Sequence, residues 1–203
     1  METRRRFWVG FVAGAFVMAM AFAGLVGMRK YERKKAAERS LVTPAEELPP
    51  LQFPDMTKLP NYGSVDRKWM FEGLDGRRAE LSDFRGKVVF LNFWATWCGD
   101  CAQELGSIHS LETKLPGAPV EFVLVSDEDP AKIAGFVARL PFSISPYVTS
   151  EKPPPAFATF ELPTTFIVAP DGTIVYRHLG VARWNQETCV KFLRALAAES
   201  AKG

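Results

Sequence analysis

Cysteine and histidine are scarce in this sequence, which has three cysteines and two histidines among 203 residues. Cys98 and Cys101 form a C-x-x-C pair, and the other possible metal ligands, Cys189, His109 and His178, are widely scattered. A structural zinc site needs four ligands in a tetrahedral arrangement. The cysteine pair could supply two of them, but no second pair of ligands lies near it in the sequence. We therefore expect no metal there.

The sequence also lacks an excess of charge of either sign. Its 25 lysines and arginines nearly balance 23 acidic residues, which leaves a formal net charge of +2. Proteins that bind nucleic acid usually present a basic face, and no such face stands out beyond the N-terminal region. These numbers argue against nucleic acid as a partner.

Charged residues are absent from Phe7 to Met28, a run of 22 residues. As a helix this run would extend about 33 Å, enough to cross a hydrocarbon core of about 30 Å. Three arginines precede it, and Ala21-Phe22-Ala23 resembles a signal-peptide cleavage site. The run continues past Ala23 to Arg29, so we predict that residues 1–28 are a membrane anchor rather than a cleaved signal segment.

A charged and then proline-rich stretch follows, which we interpret as a linker over residues 29–60, with a domain over 61–203. The basic residues just after the apolar run outnumber the three arginines before it. Taken alone, the positive-inside rule would therefore place the domain in the cytoplasm.

The cysteine pair lies where a strand pattern gives way to a helix pattern. The apolar run Lys87 to Ala95 predicts a strand buried on both faces. After Cys98 the apolar residues follow helical spacing. The unpaired amides and dipole at a helix start stabilise a thiolate, so Cys98 is the predicted nucleophile. Cys101, one turn deeper, is the predicted resolving thiol, and this dithiol chemistry needs no cofactor.

The remaining patterns predict an α/β domain that contains parallel β-α-β units. Cys189 falls on the apolar stripe of the last helix, so we interpret it as a buried, inert thiol. The predicted elements are a hairpin at Trp69–Leu81, a strand at Val120–Ser126, a helix capped by Asp129, an irregular stretch at Pro141–Pro155, a hairpin of Thr165–Ala169 with Thr173–His178, and a helix capped by Asn185.

The motif F-W-A-T-W-C-G-D-C, the apolar strand before it and the later segment L-P-T-T-F together resemble the thioredoxin fold, and most closely its membrane-anchored TlpA/ResA-like branch. The resemblance covers residues 61–203. It implies a three-layer thioredoxin-like α/β fold with a central mixed sheet, preceded by an N-terminal transmembrane helix. It also implies that Pro163 follows a cis peptide bond and that Trp97, Leu162 and Pro163 contact the substrate.

The same resemblance draws attention to Asn92 and Glu104. Thioredoxin has a buried aspartate where this chain has Asn92, and ResA-like proteins are similar to this chain in pairing that asparagine with a glutamate three residues after the second cysteine. Residues three apart on a helix are neighbours, so Glu104 is predicted to handle the proton of Cys101. The alternative is a solvated acid that merely favours the helix dipole.

The resemblance implies a monomeric thiol–disulfide oxidoreductase in the bacterial cytoplasmic membrane, with its domain facing the periplasm. Typical clients would be apocytochrome c or proteins with a copper-site cysteine pair, and a membrane dithiol donor would recharge the enzyme. The alternative is a copper-binding metallochaperone of the Sco type without redox turnover. That family spaces its cysteines C-x-x-x-C, which differs from the spacing here.

Overall fold

The computed structural model describes residues 20, 24, 27–28, 48–65 and 68–199. The chain divides into two compact units, residues 1–40 and 41–203. The four described residues of the first unit are helical. No helix within the described ranges is long and apolar enough to cross a membrane. The predicted anchor over residues 1–28 lies, apart from those four residues, outside the described part, as does the charged part of the predicted linker.

Residues 48–65 and 68–199 form a domain around one mixed sheet with the strand order β2-β1-β5-β4-β3-β6-β7. The central strands β3, β4 and β5 are parallel, while β6 and β7 at one side and β1 and β2 at the other join antiparallel. The strands are β1 (Met70–Gly73), β2 (Arg78–Glu80), β3 (Val88–Phe93), β4 (Val120–Ser126), β5 (Tyr147–Val148), β6 (Thr164–Val168) and β7 (Ile174–Leu179).

Three α-helices of the described domain cover one face of the sheet: α1 (Gly99–Thr113), α2 (Pro130–Val137) and α3 (Glu187–Glu199). Leu105, Ile133 and Leu193, one from each helix, share a buried cluster with Phe90 of β3. Alternate residues of β3, such as Val89, belong instead to a second cluster on the opposite face. The prediction that β3 is buried on both faces is therefore confirmed.

The opposite face differs from the layer of helices expected for a three-layer fold. Within the described residues it is covered by Trp69, by the 3-10 turn Leu81–Phe84 and by the 3-10 turn Pro155–Phe157. Consecutive prolines precede the second turn, and a residue without an amide hydrogen cannot sustain a helical hydrogen-bond ladder. The stretch predicted to be irregular also contains β5, whose two residues are too few to produce a sequence pattern.

Two local predictions need correction. Part of the predicted linker packs on the domain, because Leu48 and Leu51 are buried and the Phe53 ring lies 4.9 Å from that of Phe192 in α3. The last helix begins at Glu187, so Asn185 lies one residue before its N-cap position. The Asn185 side chain instead donates to Ser110 Oγ of α1 at 3.4 Å.

Candidate active site

The loop between β3 and α1 is held by hydrogen bonds to β4 and to the residues that follow it. The Trp94 amide donates to the Val125 carbonyl of β4 at 3.2 Å. The Thr96 amide and hydroxyl donate to the two carboxylate oxygens of Glu128 at 2.6 and 2.8 Å. These two hydrogen bonds to Glu128, which the sequence did not predict, fix the loop two residues before Cys98.

Cys98 occupies the N-cap position of α1, with an extended backbone. Its sulfur accepts a hydrogen bond from the Cys101 amide at 3.1 Å, so it takes the place that a serine or aspartate oxygen often fills at a helix start. Donation from a first-turn amide, together with the helix dipole, favours negative charge on that sulfur. The local geometry therefore suits a thiolate at Cys98.

Cys98 and Cys101 are joined by a disulfide, with their Cα atoms 5.2 Å apart. Cys98 keeps a small exposed fraction of 8%, whereas Cys101 is fully buried. Trp97, which precedes the pair, is 73% exposed. An external sulfur can therefore approach the pair only from the Cys98 side.

The segment Leu162–Pro163 lies at the same end of the sheet. Its peptide bond is cis. Because Thr164 of β6 pairs antiparallel with Phe93 of β3, the residues just before Thr164 run beside Trp94 and those that follow it. Pro163 is buried and Leu162 is half-buried. The structure therefore brings the predicted substrate-contacting residues to the end of β3 that leads into the cysteine pair.

Glu104 is fully buried beneath the site and accepts three hydrogen bonds from distant parts of the chain. Its Oε1 accepts from Asn92 Nδ2 at 2.9 Å, and its Oε2 accepts from the Ala182 amide at 3.1 Å and from Trp184 Nε1 at 3.0 Å. Burial raises the pKa of Glu104 to about 7, against the opposing effect of these donors. The alternative of a solvated first-turn acid is therefore wrong.

Asn92 links Glu104 to the sheet, since its Nδ2 also donates to Thr165 Oγ1 at 2.9 Å. Its own Oδ1 is buried without a hydrogen-bond partner. Trp184 and Ala182 were not predicted as part of the site, because they follow β7 and lie about eighty residues from Glu104 in the sequence. The aromatic and apolar pattern around them indicates only a buried segment.

The third cysteine lies apart from this chemistry. Cys189 is free and fully buried on the inner face of α3, as predicted. Burial raises the pKa of its thiol well above its usual range. In an apolar cluster such a thiol packs as a small hydrophobic side chain.

A sequence profile of the AhpC/TSA family matches residues 53–177, which include the cysteine pair, Glu104 and Pro163. The chain belongs to this family. It is 32% identical over 132 residues to the thiol-disulfide oxidoreductase ResA of Bacillus cereus, which covers 63% of this chain and 75% of the relative. As a family member with such relatives and a paired Cys98 and Cys101, the protein is a thiol–disulfide oxidoreductase.

Solved structures confirm the thioredoxin-like fold of this family member. StoA from Bacillus subtilis aligns with a TM-score of 0.53 and 17% identity over 66% of this chain and 98% of its own. BsSco, a member of the Sco family of cytochrome c oxidase assembly proteins, aligns with a TM-score of 0.51 and 18% identity over 71% and 96%. At these identities both likenesses concern the fold alone.

Proposed function

We propose that this protein is a membrane-anchored reductase of disulfides in client proteins outside the cytoplasm. The observation that carries the proposal is the asymmetry of the pair: Cys98 is partly exposed and accepts an amide hydrogen bond, while Cys101 is fully buried. The first sulfur is suited to attack from outside, and the second is suited to react only with the first.

In the proposed reaction the Cys98 thiolate attacks one sulfur of a client disulfide. The client S–S bond breaks, the Cys98–client bond forms, and the leaving client thiolate takes up a proton. Cys101, deprotonated by Glu104, then attacks Cys98 Sγ and expels the second client thiolate. Two electrons pass to the client, whose disulfide becomes two thiols, while Cys98 and Cys101 become a disulfide.

The Cys98–Cys101 disulfide must then be reduced by an outside dithiol, which is itself oxidised to a disulfide. We infer a membrane dithiol donor for this step, with apocytochrome c or copper-site cysteine pairs as the clients and a monomeric protein. These assignments rest on the resemblance to the TlpA/ResA-like branch. No organic cofactor or metal takes part in the exchange.

The proposal is tested by comparing insulin reduction with copper binding. The reduced full-length chain in detergent should reduce the disulfides of insulin, and Cys98→Ser should abolish this activity. Cys189→Ser is the matched control, since that thiol is buried. Tight stoichiometric binding of Cu(I) without any insulin reduction would instead support the Sco-type alternative.

We also propose that the domain faces the periplasm, although the basic residues after the apolar run favour the opposite orientation. The proposal is supported by the apolar run with its preceding arginines and by the resemblance to anchored extracytoplasmic reductases. A phosphatase that needs its own disulfides, fused to the C-terminus, should be active in cells. An inactive fusion protected from external protease would contradict this orientation.

A further inference from the structure

Phe160 is a fully exposed aromatic residue on a loop that is held by several hydrogen bonds. The hydroxyls of Thr159 and Thr164 lie 2.9 Å apart, and Thr164 Oγ1 also donates to the Glu161 carbonyl at 2.7 Å. The Glu161 amide donates to Thr159 Oγ1 at 3.2 Å. These hydrogen bonds hold the loop in a conformation that exposes the Phe160 ring to solvent. The ring therefore makes no contribution to the core.

Phe160 belongs to a group of exposed apolar side chains at one end of the sheet. Thr164 of β6 pairs with Phe93 on one side and with Leu179 on the other. The register thus places the Phe160 loop and Leu179, which is 44% exposed, at the end of the sheet where Trp97 precedes Cys98. Exposed apolar residues that cluster in this way commonly mark an interaction site.

The segments that form this end of the sheet are acidic. Residues 94–101, 126–130, 158–164 and 179–182 contain no lysine or arginine, and residues 149–152, which the Thr149 amide joins to the Ser126 carbonyl, carry one acid and one base, Glu151 and Lys152. The contact of Glu128 with Thr96 shows that the second of these segments adjoins the loop before Cys98. The basic residues nearest to these segments are Lys132, Lys152, Arg177 and Arg183, and the acids outnumber them. The acids are Asp100, Asp127, Glu128, Asp129, Glu151 and Glu161.

We propose that these acids, with Trp97, Phe160 and Leu179, form a client surface that selects basic polypeptide segments with a bulky apolar residue beside the reacting cysteine. The apolar residue packs against the exposed side chains, and lysine or arginine a few positions away is attracted by the acids. This inference rests on the proposed reductase function and names its substrate class.

Four peptide disulfides would test the client surface. Each is a symmetric dimer of one eight-residue peptide, with leucine or serine beside the cysteine and with either lysine or glutamate two positions away. The reduced full-length protein converts each dimer into two peptide thiols and itself becomes the Cys98–Cys101 disulfide. Dividing each rate by the rate of dithiothreitol on the same peptide removes differences in intrinsic thiol reactivity.

We expect the normalised rates of the lysine peptides to exceed those of the glutamate peptides by about tenfold at low salt. The preference should shrink at high salt, as the Debye length falls from about 30 Å at 0.01 M to about 3 Å at 1 M. Leucine should be preferred over serine by about threefold to tenfold. Equal normalised rates for the four peptides would overturn the proposal.

Matched variants assign the two preferences to the surface. Phe160→Ser should reduce the leucine preference at least about threefold. Tyr62 is an exposed aromatic residue beside the opposite end of β7, and Tyr62→Ser should leave the leucine preference unchanged. Asp127→Asn combined with Glu161→Gln should reduce the lysine preference, whereas Glu187→Gln at the start of α3 should keep it. Wild-type preferences in Phe160→Ser and in the double variant would overturn the proposal.

The neutral small disulfide 2-hydroxyethyl disulfide separates this inference from the function on which it rests. Reduction of this compound without discrimination among the peptides would overturn the client surface and leave the reductase function standing. Failure to reduce both the compound and every peptide would overturn the reductase function and the client surface together.

Discussion

Cys101→Ser is expected to trap the protein in a mixed disulfide with its client and to slow client release by at least about a thousandfold, because an intramolecular thiol has an effective concentration far above that of any external thiol. Cys98 would still be partly exposed at the N-cap of α1 and able to attack. A serine hydroxyl cannot replace the second thiolate. The remaining thiol, Cys189, is fully buried in the helical layer.

The measurement is the lifetime of the complex between the reduced full-length variant and insulin, followed by mass spectrometry under non-reducing conditions. Cys98→Ser should form no complex, and Cys101→Ser combined with Cys189→Ser should trap as efficiently as Cys101→Ser alone. Release at the wild-type rate from Cys101→Ser would mean that another thiol resolves the intermediate, and the order of attack proposed here would be wrong.

The position of the cysteine pair could be predicted from the sequence because it depends on local patterns. A strand buried on both faces requires the continuous apolar run that ends near Ala95, and a helix packed on one face requires the spacing of Leu105, Ile108 and Leu111. The change between the two patterns falls at Cys98, and the structure places the N-cap of α1 at that residue.

The environment of Glu104 could not be predicted in the same way. Helical spacing places Glu104 near Cys101 but does not say whether its carboxylate faces solvent or the core. The decisive donors are the Ala182 amide and Trp184 Nε1, which reach it through the packing of the segment between β7 and α3. Contacts over such a sequence distance leave no periodic signal in either segment.

Two further features could not be predicted from the residues alone, for different reasons. The cis bond before Pro163 was expected only from the resemblance, because only about 5 to 6% of the peptide bonds that precede proline are cis in folded proteins. The exposure of Phe160 is contrary to the usual burial of phenylalanine, and nothing in its neighbouring residues marks it as an exception. Exceptions to burial rules are informative only once the fold is known.

The contribution of Glu104 to wild-type stability is expected to fall as the pH rises from about 4.5 to about 7, because Glu104 holds a proton more tightly in the folded protein. Its pKa is raised by burial from 4.5 to about 7. Below pH 4.5 Glu104 is protonated in both the folded and the unfolded state. Between pH 4.5 and about 7 it is protonated only in the folded state, so its stabilising contribution decreases with rising pH and is lost once the pH passes the folded pKa. The loss is on the order of 3 kcal/mol.

Glu104→Gln should remove this pH dependence with little loss of stability. The side-chain oxygen that this substitution retains can accept from the Ala182 amide and Trp184 Nε1, as Glu104 Oε2 does. The side-chain amide nitrogen that it introduces can donate to Asn92 Oδ1, which has no partner in the wild type, if the Asn92 side chain turns over. Urea unfolding between pH 5 and pH 8 measures the change. Glu187 is an exposed acid at the start of α3, and Glu187→Gln should keep the wild-type slope.

The same variant is expected to release client about a hundredfold more slowly at neutral pH, because a positioned base contributes about a hundredfold or more to a proton-transfer step. A carboxyl group with a pKa of about 7 is ionised often enough near neutral pH to take the Cys101 proton, and Asn92 cannot take it. Formation of the mixed disulfide, which involves Cys98, should be affected less than its resolution.

Stopped-flow measurements of the two steps from pH 5 to pH 9 distinguish them, and the resolution step should lose its inflection near pH 7 in Glu104→Gln. If that variant resolves the mixed disulfide at the wild-type rate at every pH, Glu104 does not handle the Cys101 proton, and its buried carboxylate serves only to hold Asn92, Ala182 and Trp184 together.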